Sequence, residues 1–189
     1  MTSTRRTVGL FGGSFNPPHM GHTLASLWVL QTQAVDELWW MPTYQHAFGK
    51  ELASYAHRMA MCALAVADLP RVSLCAIEER LGGESRTFDT VAVLKQEHPS
   101  SDFALVIGTD ILDETGSWKN WDGLMEMVSL IVVGRRGYGD VHAASFALPN
   151  ISSTTIRAAL AAGDTEAEVF QAWMVRDVQE YVVEHGLYR

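Results

Sequence analysis

The chain has 189 residues, 48% of them hydrophobic, and a formal charge of −8 from 14 Lys and Arg against 22 Asp and Glu. That is enough for one domain with a full core and a small helical appendage, and the acidic balance speaks against an extended duplex-binding face, which is usually basic. Cys62 and Cys75 offer neither a disulfide framework nor a Cys-x-x-Cys pair, the start "MTSTRRTV" lacks an apolar signal core, and no apolar run has membrane-spanning length; a reduced, cytoplasmic setting is expected.

Taken in chain order, the first predicted strand is Thr7–Phe11, followed by "GGSFNPPHMGH" (residues 12–22). Gly12 and Gly13 fall just after that strand, where a missing Cβ permits a sharp turn and the close approach of a ligand. The helix predicted over Gly21–Gln33 then points its free N–H groups and positive dipole end at the same spot, which suits phosphate. His19 and His22, three apart, are by themselves surface residues, core residues or half of a metal site. No Cys or carboxylate accompanies them locally. At the mouth of such a helix they gain another role, donating hydrogen bonds to the oxygens of a phosphate under attack.

A second strand is predicted over Glu37–Met41, with "LWWMP" read as core, then a helix over Ser54–Ala67, a strand over Val72–Ala76 and a helix over Thr87–Glu97. "FALVI" (Phe103–Ile107) and "SLIVV" (Ser129–Val133) are apolar throughout, as expected of strands covered on both faces. Gly108 and Asp110 follow the fourth strand, Trp118 lies in a polar stretch, and a helix is predicted over Asn120–Met127. Asp110 by itself reads as a helix cap. A loop rich in Gly and His (Gly134–Ser145) precedes a short helix starting near Ser153 (Thr154–Ala162) and a last one over Arg176–His185. Ser152, Ser153 and Thr154 offer capping hydroxyls, and capping alone does not explain Arg157, one turn in, where a guanidinium can grip phosphates.

Strand–helix alternation of this kind predicts an α/β fold: a Rossmann-like parallel sheet sandwiched by helices. The whole of residues 1–189 reads as one domain whose small C-terminal helical part, from about residue 153, packs on the sheet. Neither G-x-G-x-x-G nor the Walker pattern G-x-x-x-x-G-K-[ST] is present, which disfavours a nicotinamide-dependent oxidoreductase.

"GGSFNPPHMGH" resembles the G-G-[ST]-F-[DN]-P-x-H-x-G-H signature of the nucleotidyltransferase superfamily, and "ISSTTIR" (151–157) resembles its I-S-S-T-x-[IV]-R element. Between them, "SRTFDTV" (85–91), "VIGTDILDETGSWKNW" (106–121) and "LIVVGRRGY" (130–138) resemble the intervening segments of bacterial nicotinate-nucleotide adenylyltransferases. The resemblance covers nearly the whole chain. It implies transfer of AMP from ATP to nicotinate mononucleotide in NAD biosynthesis. His19, His22 and Arg157 would be catalytic; Gly12, Gly13, Ser14, Phe15, His22, Gly108, Asp110, Ser153, Thr154 and Arg157 would bind ATP; Asn16, Lys50, Arg86, Thr87, Trp118 and Lys119 would bind the acceptor. By the same resemblance Asp110 would lie beside the adenosine, accepting from hydroxyls or holding a hydrated magnesium, instead of capping a helix.

The resemblance further implies Mg²⁺ carried with ATP and no metal held by the protein's own ligands. Expected partners are the two substrates, with no nucleic acid and no membrane, and homo-oligomerisation is left open. Two departures fall on the acceptor side. "MPTYQHAFGK" (41–50) lacks the family's double proline, leaving His46 and Lys50 as its basic end, and Arg86 stands where the family has tyrosine. The alternatives are a transferase of the same superfamily with nicotinamide mononucleotide, phosphopantetheine or another acceptor, or with CTP as donor, and a non-enzymatic nucleotide or metal sensor.

Overall fold

A computed structural model describes residues 5–45, 52–84, 86–112, 114–135, 147–149 and 151–189. His46 and Lys50, and most of the loop expected over 134–145, lie outside the described residues. The strands are β1 (Arg6–Gly13), β2 (Glu37–Pro42), β3 (Val72–Leu74), β4 (Ser101–Gly108), β5 (Ser129–Arg135) and β6 (Ala147–Leu148). The helices are α1 (Met20–Thr32), α2 (Tyr55–Val66), α3 (Ile77–Leu81), α4 (Thr87–Glu97), α5 (Thr109–Leu112), α6 (Trp121–Met127), α7 (Ser153–Ala161), α8 (Glu168–Gln171) and α9 (Arg176–Glu184).

The sheet runs β3-β2-β1-β4-β5-β6 and every described pairing is parallel. It is the predicted Rossmann-like sandwich. Period-2 alternation explains why the strands are apolar on both faces. On β4, Ala104 and Val106 join Leu38, Trp40 and Val29 of α1 in one core, backed by α2, α7 and α9. Phe103, Leu105 and Ile107 face the other way, onto Val91 and Leu94 of α4 and Leu124 of α6.

The order of strands positions the site. From β1 the chain moves outward through β2 and β3, then crosses back to place β4 on the other side of β1. Strand order therefore reverses between β1 and β4, and ligands of open α/β sheets bind at the carboxyl ends of such a pair.

Several elements begin or end elsewhere than their sequence suggests. Gly12 and Gly13 do not follow β1 but end it, in register with Met41 and Pro42. The left-handed turn falls instead on Phe15, at φ 45°. β3 stops at Leu74, two residues short, because Ala76 already caps α3. Gly134 and Arg135 extend β5 rather than opening the loop. β6, α3, α5 and α8 are too short, at two to five residues, for a hydrophobic period to announce them.

Candidate active site

A cavity of 440 Å³ opens at the reversal point, between the loop after β1 and the loop after β4. Its wall includes Gly12, Gly13, Ser14, His19 and His22 from one side and Gly108, Asp110, Thr87, Trp118 and Lys119 from the other, with Arg86 beside Thr87. A Cβ added at Gly12 would meet nothing within 4 Å, so this end of β1 leaves open space in which a ligand can lie against the backbone.

His19 stands at the N-cap of α1 and is buried. Its main-chain N–H donates to Nδ1 of His22 at 3.1 Å. A ring nitrogen that accepts an amide proton carries none itself, so neutral His22 keeps its proton on Nε2. The two imidazoles stack at 3.9 Å between centroids and 29° between planes. The glycine between them has a steric reason: a Cβ on Gly21 would lie 2.9 Å from both Cε1 and Nδ1 of His19. Beneath this pair the Phe15 ring stacks on Trp40 at 4.7 Å, and Trp40 Nε1 donates to Ser26 Oγ, which donates to the His22 carbonyl. Trp40 is fully buried, as "LWWMP" suggested.

At the end of β4, the carboxylate of Asp110 folds over the Cα of Gly108, occupying the room a side chain there would need. Asp110 is a residue of α5 rather than its N-cap. Trp118 is half-buried and meets Trp121 edge-to-face at 5.7 Å. Thr87 starts α4. The two cations expected near the acceptor both reach the wall, and both are already paired. Arg86 donates to Glu84 at 2.6 Å, and Lys119 makes two bonds to Asp89 at 2.7 and 2.8 Å.

The second signature lies elsewhere. Among the described residues the wall omits Phe15, Asn16, Ser153, Thr154 and Arg157, and from "ISSTTIR" it takes Ile151. Ser152 alone caps α7, accepting from the Thr155 N–H at 3.1 Å. Ser153 Oγ donates to the Pro17 carbonyl at 2.9 Å, and Arg157 donates to the Asn16 carbonyl at 2.8 Å. Thr154 is exposed, 3.4 Å from the Arg157 guanidinium. Asn16, expected at the acceptor, is 3% exposed, and its Oδ1 accepts from the Ala53 N–H and the Tyr188 hydroxyl. It holds the loop from behind.

Three residues of this region escaped the sequence reading. Glu78 lines the cavity and accepts from the Tyr44 N–H at 3.1 Å. Tyr188, next to last in the chain, reaches Asn16. Arg58 is 1% exposed in the core of α2. A signal for Arg58 was present: buried positions 58, 61, 62, 65 and 66 form one helical stripe, and a cation stands at its head. Cys62 and Cys75 are free, neither lies in the cavity wall, and burial pushes both thiols up, away from the nucleophilic thiolate. Among the described residues no three His, Cys, Asp or Glu side chains converge as a metal cage, and no helix is long and apolar enough to cross a membrane.

Comparison with known proteins agrees over almost the full length. Residues 10–159 match the cytidylyltransferase-like family. The chain is 44% identical over 187 residues to a protein of Anaeromyxobacter dehalogenans named "Probable nicotinate-nucleotide adenylyltransferase", covering 97% of both. It is 30% identical over 186 residues to the nicotinate-nucleotide adenylyltransferase of Bacillus subtilis, covering 97% of this chain and 98% of that one. In fold it matches a Plasmodium falciparum nicotinic acid mononucleotide adenylyltransferase solved with NaAD, at TM-score 0.84 and 18% identity over 97% of each chain. With the first signature at the reversal point of the sheet and the second bonded to its loop from α7, the chain belongs to the nicotinate-nucleotide adenylyltransferases of the cytidylyltransferase-like family.

Proposed function

We propose that the protein transfers AMP from ATP to nicotinate mononucleotide, giving deamido-NAD and pyrophosphate. The observation that carries the reading is the stacked His19–His22 pair at the head of α1, opposite Asp110, across a cavity that Gly12 leaves open. An oxygen of the acceptor's 5′-phosphate attacks the α-phosphorus of ATP. The bond from that phosphorus to the α,β-bridging oxygen breaks, and its electron pair leaves with pyrophosphate. The attacking phosphate is already anionic at neutral pH, so no base has to remove a proton and no covalent intermediate is needed. The protein's work is alignment and charge stabilisation.

His22 supports this by presenting Nε2–H toward a non-bridging α-phosphate oxygen, while its Nδ1 is tied to the His19 amide. Arg157 spends one donor on the Asn16 carbonyl and one on Thr154 Oγ1 and keeps others for the leaving phosphates. Ser153 and Thr154 share its helix end, and Gly13, Ser14 and Gly108 line the cavity in which the nucleotide would lie. Phe15 supports the His22 ring from 4.8 Å. On the acceptor side Trp118 offers a ring for the pyridine, and Thr87 and Phe88 bring the start of α4, where main-chain amides lack intrahelical acceptors, to the cavity wall. Lys50 is carried by resemblance alone.

Of the carboxylates in the described cavity wall, Asp110, Glu78 and Glu114, Glu78 accepts from the Tyr44 N–H and Asp110 stands at the end of β4, a donor set that fits a divalent cation arriving on the triphosphate. Asp110 would hold such an ion through its water ligands. Mg²⁺, when bound, neutralises phosphate charge. The site of action is the cytoplasm, where ATP is available. Pyrophosphate release from ATP with a panel of acceptors tests the whole reading. Release is expected with nicotinate mononucleotide and Mg²⁺ and is abolished by chelator; nucleotide binding without release would make the protein a sensor instead.

A further inference from the structure

Arg58 carries a charge into the core of the protein, and all three of its hydrogen bonds end on main-chain carbonyls. Nε donates to Ala53 at 3.0 Å, Nη1 to Ser14 at 3.0 Å and Nη2 to Tyr44 at 3.3 Å. The three acceptors belong to three different segments around the cavity. Ser14 is in the cavity wall after β1, Tyr44 follows β2, and Ala53 leads into α2. Each segment is braced a second time at the same place. The Ala53 N–H donates to Asn16 Oδ1, and the Tyr44 N–H donates to Glu78, itself in the cavity wall.

A planar fork with donors on three separate nitrogens can serve three carbonyls that stand apart, whereas an ammonium holds its donors on one atom and a neutral amide has only two. The peptide between Ser14 and Phe15 makes the consequence specific. A trans peptide is planar, with its C=O and N–H pointing in opposite directions. Arg58 draws the Ser14 carbonyl toward the core, so the Phe15 N–H is aimed the other way, out beside Ser14 of the cavity wall. Phe15 itself holds a left-handed backbone, φ 45°, a conformation that persists only where the surroundings impose it. The guanidinium also sets a buried positive charge one peptide behind the wall. In an acidic chain, that charge faces the place where an anion must sit.

We infer that Arg58 is a positioning residue: through Ser14 it fixes the Phe15 N–H as an anion donor at the edge of the cavity and lends the site a charge from beneath the loop. The inference rests on the nucleotidyl-transfer reading for the identity of that anion, the phosphates of ATP. It predicts a particular selectivity of damage. Loss of Arg58 weakens the hold on phosphate and leaves the nucleoside untouched.

The test compares Arg58→Met and Arg58→Lys with the unsubstituted protein, measuring dissociation constants for ATP and for adenosine together with the thermal transition. In Arg58→Met, ATP affinity is expected to fall at least about tenfold, as for loss of charge-assisted donors, with adenosine affinity unchanged. Arg58→Lys keeps the charge but not the fork and is expected to fall between. It also carries the comparison by itself if the methionine variant does not fold. ATP and adenosine weakened by the same factor, or ATP affinity retained, would overturn the role. Failure of the unsubstituted protein to release pyrophosphate overturns the functional reading instead, and is scored separately because the binding measurements need no turnover.

Discussion

Arg157 donates to the main-chain carbonyl of Asn16 at 2.8 Å, joining residues 141 positions apart. Ser153 repeats the connection one residue on, at the Pro17 carbonyl. In sequence the two signatures read as separate grips on the two ends of a triphosphate. In the fold, α7 also braces the loop that leads into the histidines. Arg157 thus has two separable roles, and Arg157→Ala distinguishes them. The KM for ATP is expected to rise more than the KM for the acceptor, because the leaving phosphates lose a donor. Ser153→Ala loses only a neutral hydrogen bond, worth about 0.5–1.5 kcal/mol, and should lower the thermal midpoint with little effect on either KM. Equal rises for both substrates in Arg157→Ala would make the arginine a brace and nothing more.

The histidines allow a finer separation. His22 uses Nδ1 to accept from the His19 amide and leaves Nε2 for the substrate. Asparagine can place a polar atom near Nδ1 but has none near Nε2. His22→Asn is therefore expected to keep the start of α1 and the thermal midpoint while turnover drops about a hundredfold or more, the usual effect of removing one transition-state donor. His19→Ala should cost a similar factor. Gly21→Ala adds a methyl 2.9 Å from the His19 ring and should lower turnover by displacing that ring, without touching the substrate. Near-full turnover in His22→Asn would end the donor assignment.

The sheet was legible because β1, β2, β4 and β5 are apolar runs; β4 is buried on both faces as expected, whereas β5 leaves Leu130 37% exposed, so "SLIVV" is not covered on both faces. The histidine loop was legible because prolines, glycines and imidazoles cluster in one short stretch behind a strand. The sites of Asn16 and Ser153 were not, since a polar residue in a motif looks the same whether its side chain turns toward the ligand or backward onto its own loop. Asn16 turns backward, to Ala53 and Tyr188. Contacts such as Tyr188 to Asn16 join the last residues to the first loop, and no local pattern records a partner 172 positions away.

Acceptor choice is expected to favour nicotinate over nicotinamide mononucleotide by at least about tenfold in kcat/KM, which needs only about 1.4 kcal/mol. The main-chain donors at the start of α4 are the chief source. Arg86 and Lys119 reach the cavity wall, but each is held by its own carboxylate, Glu84 and Asp89, and exposed pairs of this kind are typically worth about 0–1 kcal/mol. Arg86→Ala and Lys119→Ala should accordingly each reduce the preference by only a few-fold, as expected from that energy. Comparable efficiencies for the two acceptors in the unsubstituted protein would shift the assignment to the nicotinamide form.

Alkaline titration probes the far side of the same loop. Burial pushes the Tyr55 phenol up to about 12, with Glu79 and Glu78 adding to the shift and Arg58 opposing it. Burial pushes Tyr188 up as well, with Arg157 and Arg58 opposing. Both shifts favour the protonated phenol in the folded chain over the unfolded one, whose pKa is about 10. The stability they confer is therefore fully present below about pH 10 and is lost as pH climbs through the folded values. Of the five tyrosines, these two should ionise late in a phenolate absorbance titration. The thermal midpoint should fall over the same range. Tyr188 is the more informative, because its hydroxyl donates to Asn16 Oδ1 at 2.9 Å and a phenolate cannot donate. Tyr188→Phe should remove one late phenol, flatten the alkaline loss of stability, and lower turnover modestly at neutral pH by releasing Asn16. A titration in which all phenols ionise together near pH 10, in the variant and the unsubstituted protein alike, would mean that the end of the chain does not hold the loop.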